Sequence, residues 1–312
     1  MKLATRINSY FRAGDKDLDR VFAQFEEVGL THVDLNYPEH VGDIPADEMK
    51  ALLERHKLAL NGVALRFRGD FINGELGNAD PAIARRALEL CHEACDYCRA
   101  VGGTTVTIWL GFDGFDYSFQ IDYTRVWKQI AAAYRDVCDY APDLSISIEY
   151  KPYEERAYAF IDSMGITGMM LAEVDRPNLG VTLDYCHMLM KHENPAFACD
   201  LFGGRGKLFG VHLNDGYGAV DDGLMIGTAT PVKTLEFLYY LKKHGYDRAI
   251  YFDTFPVIED AEEECAQNIA MISMLDRALD VVGADEVQRV IDANSGTEAA
   301  ALMRRLLCAC SE

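Results

Sequence analysis

Basic residues are scarce in this chain. Thirty lysines and arginines stand against 50 acids in 312 residues, a formal net charge of -20 at pH 7. A surface of that sign repels phosphate backbones, so no nucleic-acid partner is expected. Long apolar runs are missing as well. No stretch approaches the ~18 residues that a membrane helix needs, so no spanning segment and no membrane partner are expected. The opening residues, MKLATRINSYF, lack the apolar stretch and cleavage site of an export signal, and the expected location is cytoplasmic. An odd count of nine cysteines, with no export signal, makes a disulfide framework unexpected. Cys91, Cys95 and Cys98 crowd together in CHEACDYC like a zinc cluster. Their spacing of four and three instead puts them on one helical face beside Leu88 and Ala94, as small core residues. Cys308 and Cys310 fall in a terminal segment expected to be frayed or buried in an oligomer. A glycine-rich phosphate loop is also missing: RINSYFRAGDKD has one glycine where a dinucleotide fold wants three. No Pro/Ser-rich linker divides the chain.

What is present is an alternation. Apolar, β-branched runs of strand length (LATRINSY, THVDLNY, LALNGVALRF, TTVTIWL, LSISIEY, LGVTLDY, LFGVHLN, AIYFDTF) alternate with amphipathic segments such as DKDLDRVFAQFEEVGL and YTRVWKQIAAAYRDVCDY. Several of these segments open on an acid, Thr or Pro, and several close on Gly, as helices do. Eight strand-helix units predict an α/β fold, a (β/α)8 TIM barrel over residues 1–283. A doubly wound open sheet is the alternative, weakened by the missing phosphate loop. Residues 284–312 read as a C-terminal helical extension that covers the barrel or reaches a neighbour. A homo-oligomer, a dimer or a tetramer, is expected.

Polar residues fall where such barrels keep their chemistry, at the C-terminal ends of the strands. SISIEYKP ends in Glu149, VTLDYCH in Asp184 with His187 three residues on, FGVHLND in His212, and IYFDTF in Asp253. One buried acid at a strand end is ordinarily a helix cap. Acids on adjacent strands at matching depth repel one another unless a cation sits between them. Glu149, Asp184, His212 and Asp253 therefore read as ligands of a divalent metal. Three carboxylates and an imidazole suit Mn2+, Mg2+, Co2+ or Zn2+. Cys186 lies between Asp184 and His187 but reads as core. Lys151, two residues after Glu149, faces the same way. It is either a donor to a substrate oxygen that gains negative charge or an ion-pair brace for Glu149.

These residues carry a resemblance. EYKPYEERAY resembles the Glu-x-Lys-Pro-x-Glu-x-Arg element of the xylose-isomerase-like barrels, and within them of the sugar isomerases of the xylose and rhamnose type. The resemblance makes Glu149 a metal-bridging ligand and Lys151 catalytic. DYCH is similar to their acid-x-x-His element, in which the acid, here Asp184, bridges two ions and His187 binds the second. FGVHLNDGYGAVDDGLMIG places His212 on the first ion, YFDTF places Asp253 there, and IWLGFDGFDYSFQ places Trp109 in the sugar pocket. The family's second ion also has two acids spaced two apart after strand seven. Here Asp221 matches the first, Gly223 stands in place of the second, and Asp222 is the substitute.

The resemblance implies a metal-dependent sugar isomerase with one or two ions, most simply Mn2+. It interconverts an aldose and a ketose by a 1,2-hydride shift, on a sugar expected to be unphosphorylated. Lys151, Glu149 and Asp253 are the expected catalytic groups. Trp109, Phe67 and Phe112 are expected to form a dry wall for the sugar's C–H faces, and His40 to assist ring opening. Arg66, with Arg68, offers an anion clamp or simply pairs with Asp70. The alternatives on the same site are a ketose 3-epimerase and a keto-sugar dehydratase or decarboxylase, which move protons through paired carboxylates. Asp253 is one methylene shorter than the Glu that the epimerases place on strand eight. A DNA-repair endonuclease of related fold would want more histidines and a basic face.

Overall fold

The computed structural model describes residues 1–11, 16–42 and 44–310. Asp15, at the start of the first expected helix, and residues 311–312 of the expected extension lie outside the described residues.

Eight parallel strands form the sheet: β1 (Leu3–Thr5), β2 (His32–Tyr37), β3 (Ala59–Leu65), β4 (Thr105–Trp109), β5 (Ser145–Glu149), β6 (Leu179–Asp184), β7 (Leu208–Leu213) and β8 (Ile250–Phe252). From β2 to β8 each pairs with its sequence neighbour, and β8 pairs with β1. Between β1 and β2 no ladder forms. Thr31 N donates to Leu3 O at 3.2 Å and Leu3 N donates to the Thr31 hydroxyl at 3.2 Å, which brings the two edges together in a nearly closed TIM barrel. β1 is much shorter than LATRINSY suggested, because the chain turns into a 3-10 helix at Ile7–Tyr10. A two-stranded antiparallel ribbon, Gly114–Phe115 with Tyr158–Ala159, links the loops after β4 and β5 above the barrel mouth.

Between the strands run α1 (Leu18–Val28), α2 (Ala46–Arg55), α3 (Pro81–Val101), α4 (Tyr123–Tyr140), α5 (Met164–Val174), α6 (Tyr185–Met190), α7 (Pro195–Gly203), α8 (Pro231–Lys243) and α9 (Ala261–Val282). Their ends follow local chemistry. The Asp80 carboxylate accepts from Ala82 N at the start of α3, Pro81 occupies the first turn, and Gly102 ends the helix at φ 98°. Cys91, Cys95 and Cys98 lie on the buried face of α3, as their spacing required. α1 buries Val21, Phe22 and Phe25. Each such side chain, fully removed from water, contributes about 1.5–3 kcal/mol. α10 (Ala284–Ala293) and α11 (Gly296–Ala309) form the helical C-terminal region and pack on α9. Cys308 is exposed within α11, so that terminal segment is ordered helix rather than a frayed tail.

Inside the barrel the middle layer is made of small hydroxyls rather than bulky branched side chains. Ser147 Oγ lies 2.6 Å from Thr182 Oγ1, and Thr107 Oγ1 3.2 Å from it. A Cβ on Gly210 would stand 2.4 Å from Thr182 Oγ1, so glycine is what leaves room for this layer. Side chains two residues further along β4, β5 and β6 form the next layer on the same face. They are Trp109, Glu149 and Asp184.

Candidate active site

The barrel brings the four singled-out strand-end residues to one place. Glu149 and Trp109 are register partners, and Asp184 is the partner of His212 after a register shift between Val181 and Thr182. Ligand atoms of Glu149, Asp184, His212 and Asp253 all lie within 4.8 Å of one another, and all four residues are buried. A second group is equally tight: Asp184, His187 and Asp221. Asp184 belongs to both. It also caps α6, accepting from His187 N at 3.1 Å, so the commonplace role of a strand-end acid and the special one coexist.

Electrostatics point the same way. Burial pushes the Asp184 carboxyl up to about 7, with Asp221, Asp253 and Glu149 adding to the rise and His187 opposing it. Burial also raises Asp253, against the pull of His212. Burial would raise Glu149 too, but His212 and His187 hold it at about 2. Both imidazoles are lifted to about 9. Burial disfavours their charged forms, yet Asp184 and Asp221 outweigh it at His187, and Glu149 and Asp253 at His212. The acids around both imidazoles thus favour their positively charged forms.

Three buried atoms here have no hydrogen-bond partner: Glu149 Oε2, His212 Nδ1 and Asp221 Oδ1. His212 Nδ1 lies 3.3 Å from Glu149 Oε1 without a well-directed hydrogen bond. Leaving such atoms unmatched is costly unless a cation takes them. The donors are oxygen and imidazole nitrogen, the set that hard and borderline divalent ions prefer. The residues present fit a divalent cation at the first group and offer a smaller set at the second.

Neighbouring groups orient these ligands. His187 Nδ1 lies 2.9 Å from Tyr150 O, a donor's position, which leaves Nε2 facing Asp221 Oδ2 at 3.3 Å. Asn214, which the sequence reading passed over, ties three strand ends together. Its Oδ1 accepts from Cys186 N at 2.8 Å, and its Nδ2 donates to Asp253 O at 3.1 Å and faces both Asp184 oxygens at 3.4 and 3.5 Å. Asp215 closes the loop that carries Asp221: its carboxylate accepts from Ala229 N, Thr230 N and the Thr230 hydroxyl. The HLND run was the available signal, since two polar residues after a ligand-bearing strand need partners of their own. Cys186 is buried as core, as expected.

Lys151 does not brace Glu149. Its Nζ lies 2.9 Å from Asp221 Oδ2 and also pairs with Glu154. Burial would lower its pKa, but these two carboxylates raise it, so the ammonium stays charged. It faces Trp109 at 5.6 Å from the ring centre. A cavity of about 230 Å3 opens above the ligands. Of the expected residues, Trp109, Glu149, Lys151, His187, Asp221, Asp253, Arg66 and Arg68 line it, and Arg6, Glu154 and Phe255 complete it. A larger cavity of about 460 Å3 lies between α8, α10 and α11, but its lining is mostly apolar and holds no ligand cluster.

Four expectations are corrected. Asp222 does not replace the missing acid of the second group: its Oδ2 accepts from Tyr217 N at 2.7 Å, and it belongs to neither ligand group. Gly223 has its own reason. Its φ is +57°, and an added Cβ would stand 2.3 Å from the Phe255 ring, so an aromatic side chain occupies the space an acid there would need. Phe67 is buried against Phe71 at 5.2 Å, and Phe112 engages Glu75 through its backbone N–H, so neither is on the cavity wall. His40 is buried, accepts from Asn36 N at 3.0 Å, and contacts Asn8 Oδ1. Burial drops its pKa to about 3, and it too is off the wall. The wall is supplied instead by Phe255, with Arg6 4.7 Å over its ring.

Known proteins share this fold. A probable sugar isomerase of Rhizobium meliloti is 26% identical over 214 residues, 67% of this chain and 44% of that protein. The chain thus spans less than half the length of this relative, and likewise of a probable sugar isomerase of Mesorhizobium japonicum, where it covers 48%. Among solved structures, L-ribulose 3-epimerase superposes with a TM-score of 0.74 at 16% identity, over 91% of this chain and 98% of that one. D-allulose 3-epimerase from Methylomonas sp. gives 0.71 at 19% identity, over 88% and 98%. At such identities the likeness is one of fold. The family model of the xylose isomerase-like TIM barrel matches residues 22–273, the span from α1 to α9 that carries every candidate ligand described above, and the chain belongs to that family.

Proposed function

We propose that this chain is a metal-dependent sugar isomerase that interconverts an aldose and a ketose. The observation that carries this reading is Lys151: a charged ammonium fixed by Asp221 and Glu154 at the cavity wall, beside the strand-borne ligands. Glu149, Asp184, His212 and Asp253 would hold one divalent ion, and Asp184, His187 and Asp221 a second. Mn2+ suits the donors best among the candidates that the oxygen-rich set admits. When bound, such an ion supplies Lewis-acid polarisation of two neighbouring sugar oxygens.

The chain's own groups do the rest. Trp109 and Phe255 present apolar faces to the sugar's C–H surfaces and keep water from the reacting carbons. His187 Nε2, aimed by the Nδ1 contact to Tyr150 O, would hold the second ion with Asp184 and Asp221, and an ion so placed, or a water it activates, would supply the means to move a sugar hydroxyl's proton. Lys151 Nζ donates to the oxygen on which negative charge grows as hydrogen passes between C1 and C2.

A second reading rests on a specific feature. Glu149 and Asp253 both face the cavity, on strands that are not neighbours, and two such carboxylates are what proton exchange at a ketose carbon requires. Solved proteins of this fold include ketose 3-epimerases. NMR in D2O separates the two. The protein is stripped with chelator, loaded with Mn2+ and offered aldoses and ketoses, and the metal is removed before spectra are recorded. Interconversion with almost no deuterium at C1 or C2 is the expected result. Deuterium at C2 or C3 would replace the isomerase with the epimerase reading.

A further inference from the structure

We infer that the substrate of this site carries an anionic group, a phosphate or a carboxylate, held by Arg66 and Arg68. The inference rests on the reading that the site handles a sugar, and it replaces the expectation of an uncharged one.

Placement comes first. Arg66 follows β3, and its N–H donates to Tyr37 O at 2.9 Å, so the sheet fixes its backbone. Arg68 is two residues on in extended backbone, φ -143° and ψ 169°. Residues two apart in extended chain face the same side, and both guanidinium side chains line the cavity that Glu149, Lys151 and Asp253 also line.

Their partners are the second observation. Arg66 is half-buried with its guanidinium over the face of Trp109, 5.6 Å from the ring centre, whereas Arg68 is exposed. Arg68 donates weakly to Phe67 O at 3.4 Å. Among the described residues neither forms an ion pair, with Asp70 or any other carboxylate; Glu39 acts on both, and Glu149 on Arg66, only at longer range. Other half-buried arginines of the chain are matched: Arg156 with Asp116, Arg176 with Asp139, Arg135 with Glu173. A half-desolvated guanidinium left unmatched at a cavity wall is costly unless a ligand completes it.

The third observation is the charge of the cavity. Its wall carries four cations, Arg6, Arg66, Arg68 and Lys151, in a chain whose net charge is -20. Lys151 is taken by Asp221 and Glu154, and Arg6 Nε lies 3.9 Å from Asp253. Glu149 and Asp253 belong to the ligand group, where a divalent ion would offset their charge. Arg66 and Arg68 are left without an ion-pair partner at the wall, balanced only at a distance by Glu39 and Glu149. Guanidinium offers only donors, in a planar fork that fits phosphate and carboxylate oxygens. Hydroxyls of a neutral sugar call for acceptors as well as donors.

The test uses binding of sugar-like compounds that the enzyme cannot turn over. The Mn2+-loaded chain is titrated by calorimetry with glucitol, gluconate and glucitol 6-phosphate, and the Arg66→Gln/Arg68→Gln double variant likewise. At least one anionic probe should bind about tenfold or more tighter than glucitol, and the double variant should lose that preference while Mn2+ affinity stays unchanged. Preference for gluconate assigns a carboxylate, and preference for the phosphate ester assigns a phosphate. Equal affinities, no binding by any of the three, or a preference that survives in the double variant would overturn the inference. Because no turnover is read, this result stands apart from the deuterium experiment, and either can fail alone.

Discussion

The two ligand groups share Asp184 and differ in what carries the rest. In the first, Glu149, Asp184 and His212 lie within strands and Asp253 directly follows one, so the ladder that closes the barrel fixes where their side chains start. In the second, His187 rides on the six-residue α6, and Asp221 sits in a loop held by Asp215, by Glu154, whose Oε1 accepts from Asp221 N at 2.8 Å, and by Lys151. Strand ends give a stiff site with a full set of donors. The loop gives a smaller set whose acid already has an ammonium for company. The stiff group suits an ion that stays and positions substrate, and the loop group one that binds weakly and moves protons.

Asp184→Asn tests both groups at once, and its effect should be the largest. It keeps the shape and the cap of α6 but removes the shared charge. Turnover should fall by more than about 10^3-fold, since several kcal/mol of charge stabilisation is lost. Metal analysis should find both ions depleted. A variant with near-normal activity would remove Asp184 from the site.

His187→Ala separates the groups. Turnover should drop roughly 10^2- to 10^4-fold, the range for losing the proton transfer that the second group would support. One tightly bound ion should remain, read by calorimetry or elemental analysis. Full activity would eliminate the loop-borne group from the chemistry.

Gly223→Ala presses on the packing that replaced the missing acid. Strain at φ +57° and the clash with Phe255 should cost about 1–3 kcal/mol. The melting temperature should fall by several degrees and KM should rise, because Phe255 lines the cavity. An unchanged KM would mean that Phe255 does not touch the substrate.

The smallest effect concerns pH. In the metal-free chain, burial works against the protonated forms of His187 and His212, but their acid neighbours win and raise both from 6.5 to about 9. The folded state therefore binds these protons more tightly than the unfolded one. Their stabilisation is complete below about pH 6.5 and is lost as pH rises through 9. Metal ligation needs neutral imidazoles, so stabilisation by Mn2+ should grow across the same window. Melts at pH 6.5 and 9, with and without Mn2+, check both halves. A metal-free protein more stable at pH 9 would contradict the protonated cluster.

Much of this molecule was legible in its residues. Alternating runs marked eight strands, because a strand buried on both faces must be apolar almost throughout. An acid or imidazole ending four such runs stood out for that reason. The loops were far less legible. Asp221 and Asp222 are adjacent and chemically alike, and only the path of the chain at Gly223, set by the Phe255 ring, turns one to the ligands and the other to Tyr217 N. Arg6 and Phe255 were missed because they follow three-residue strands whose ends leave no periodicity to count. Phe67 and Phe112 were misplaced because an aromatic after a strand packs into a wall or a core with equal ease.

By itself the sequence determined the strand-helix alternation, the absence of a phosphate loop and the residue types at the strand ends, since these depend on local pattern and on the two-residue period of a strand. Only the tertiary structure decided that the strands curl until β8 meets β1, that Asp222 stays out of both groups, and that Lys151 pairs with Asp221 rather than Glu149. It also left Arg66 facing the cavity without an ion-pair partner. Those outcomes depend on distances between residues far apart in the chain, which barrel closure and loop packing set and no local pattern encodes.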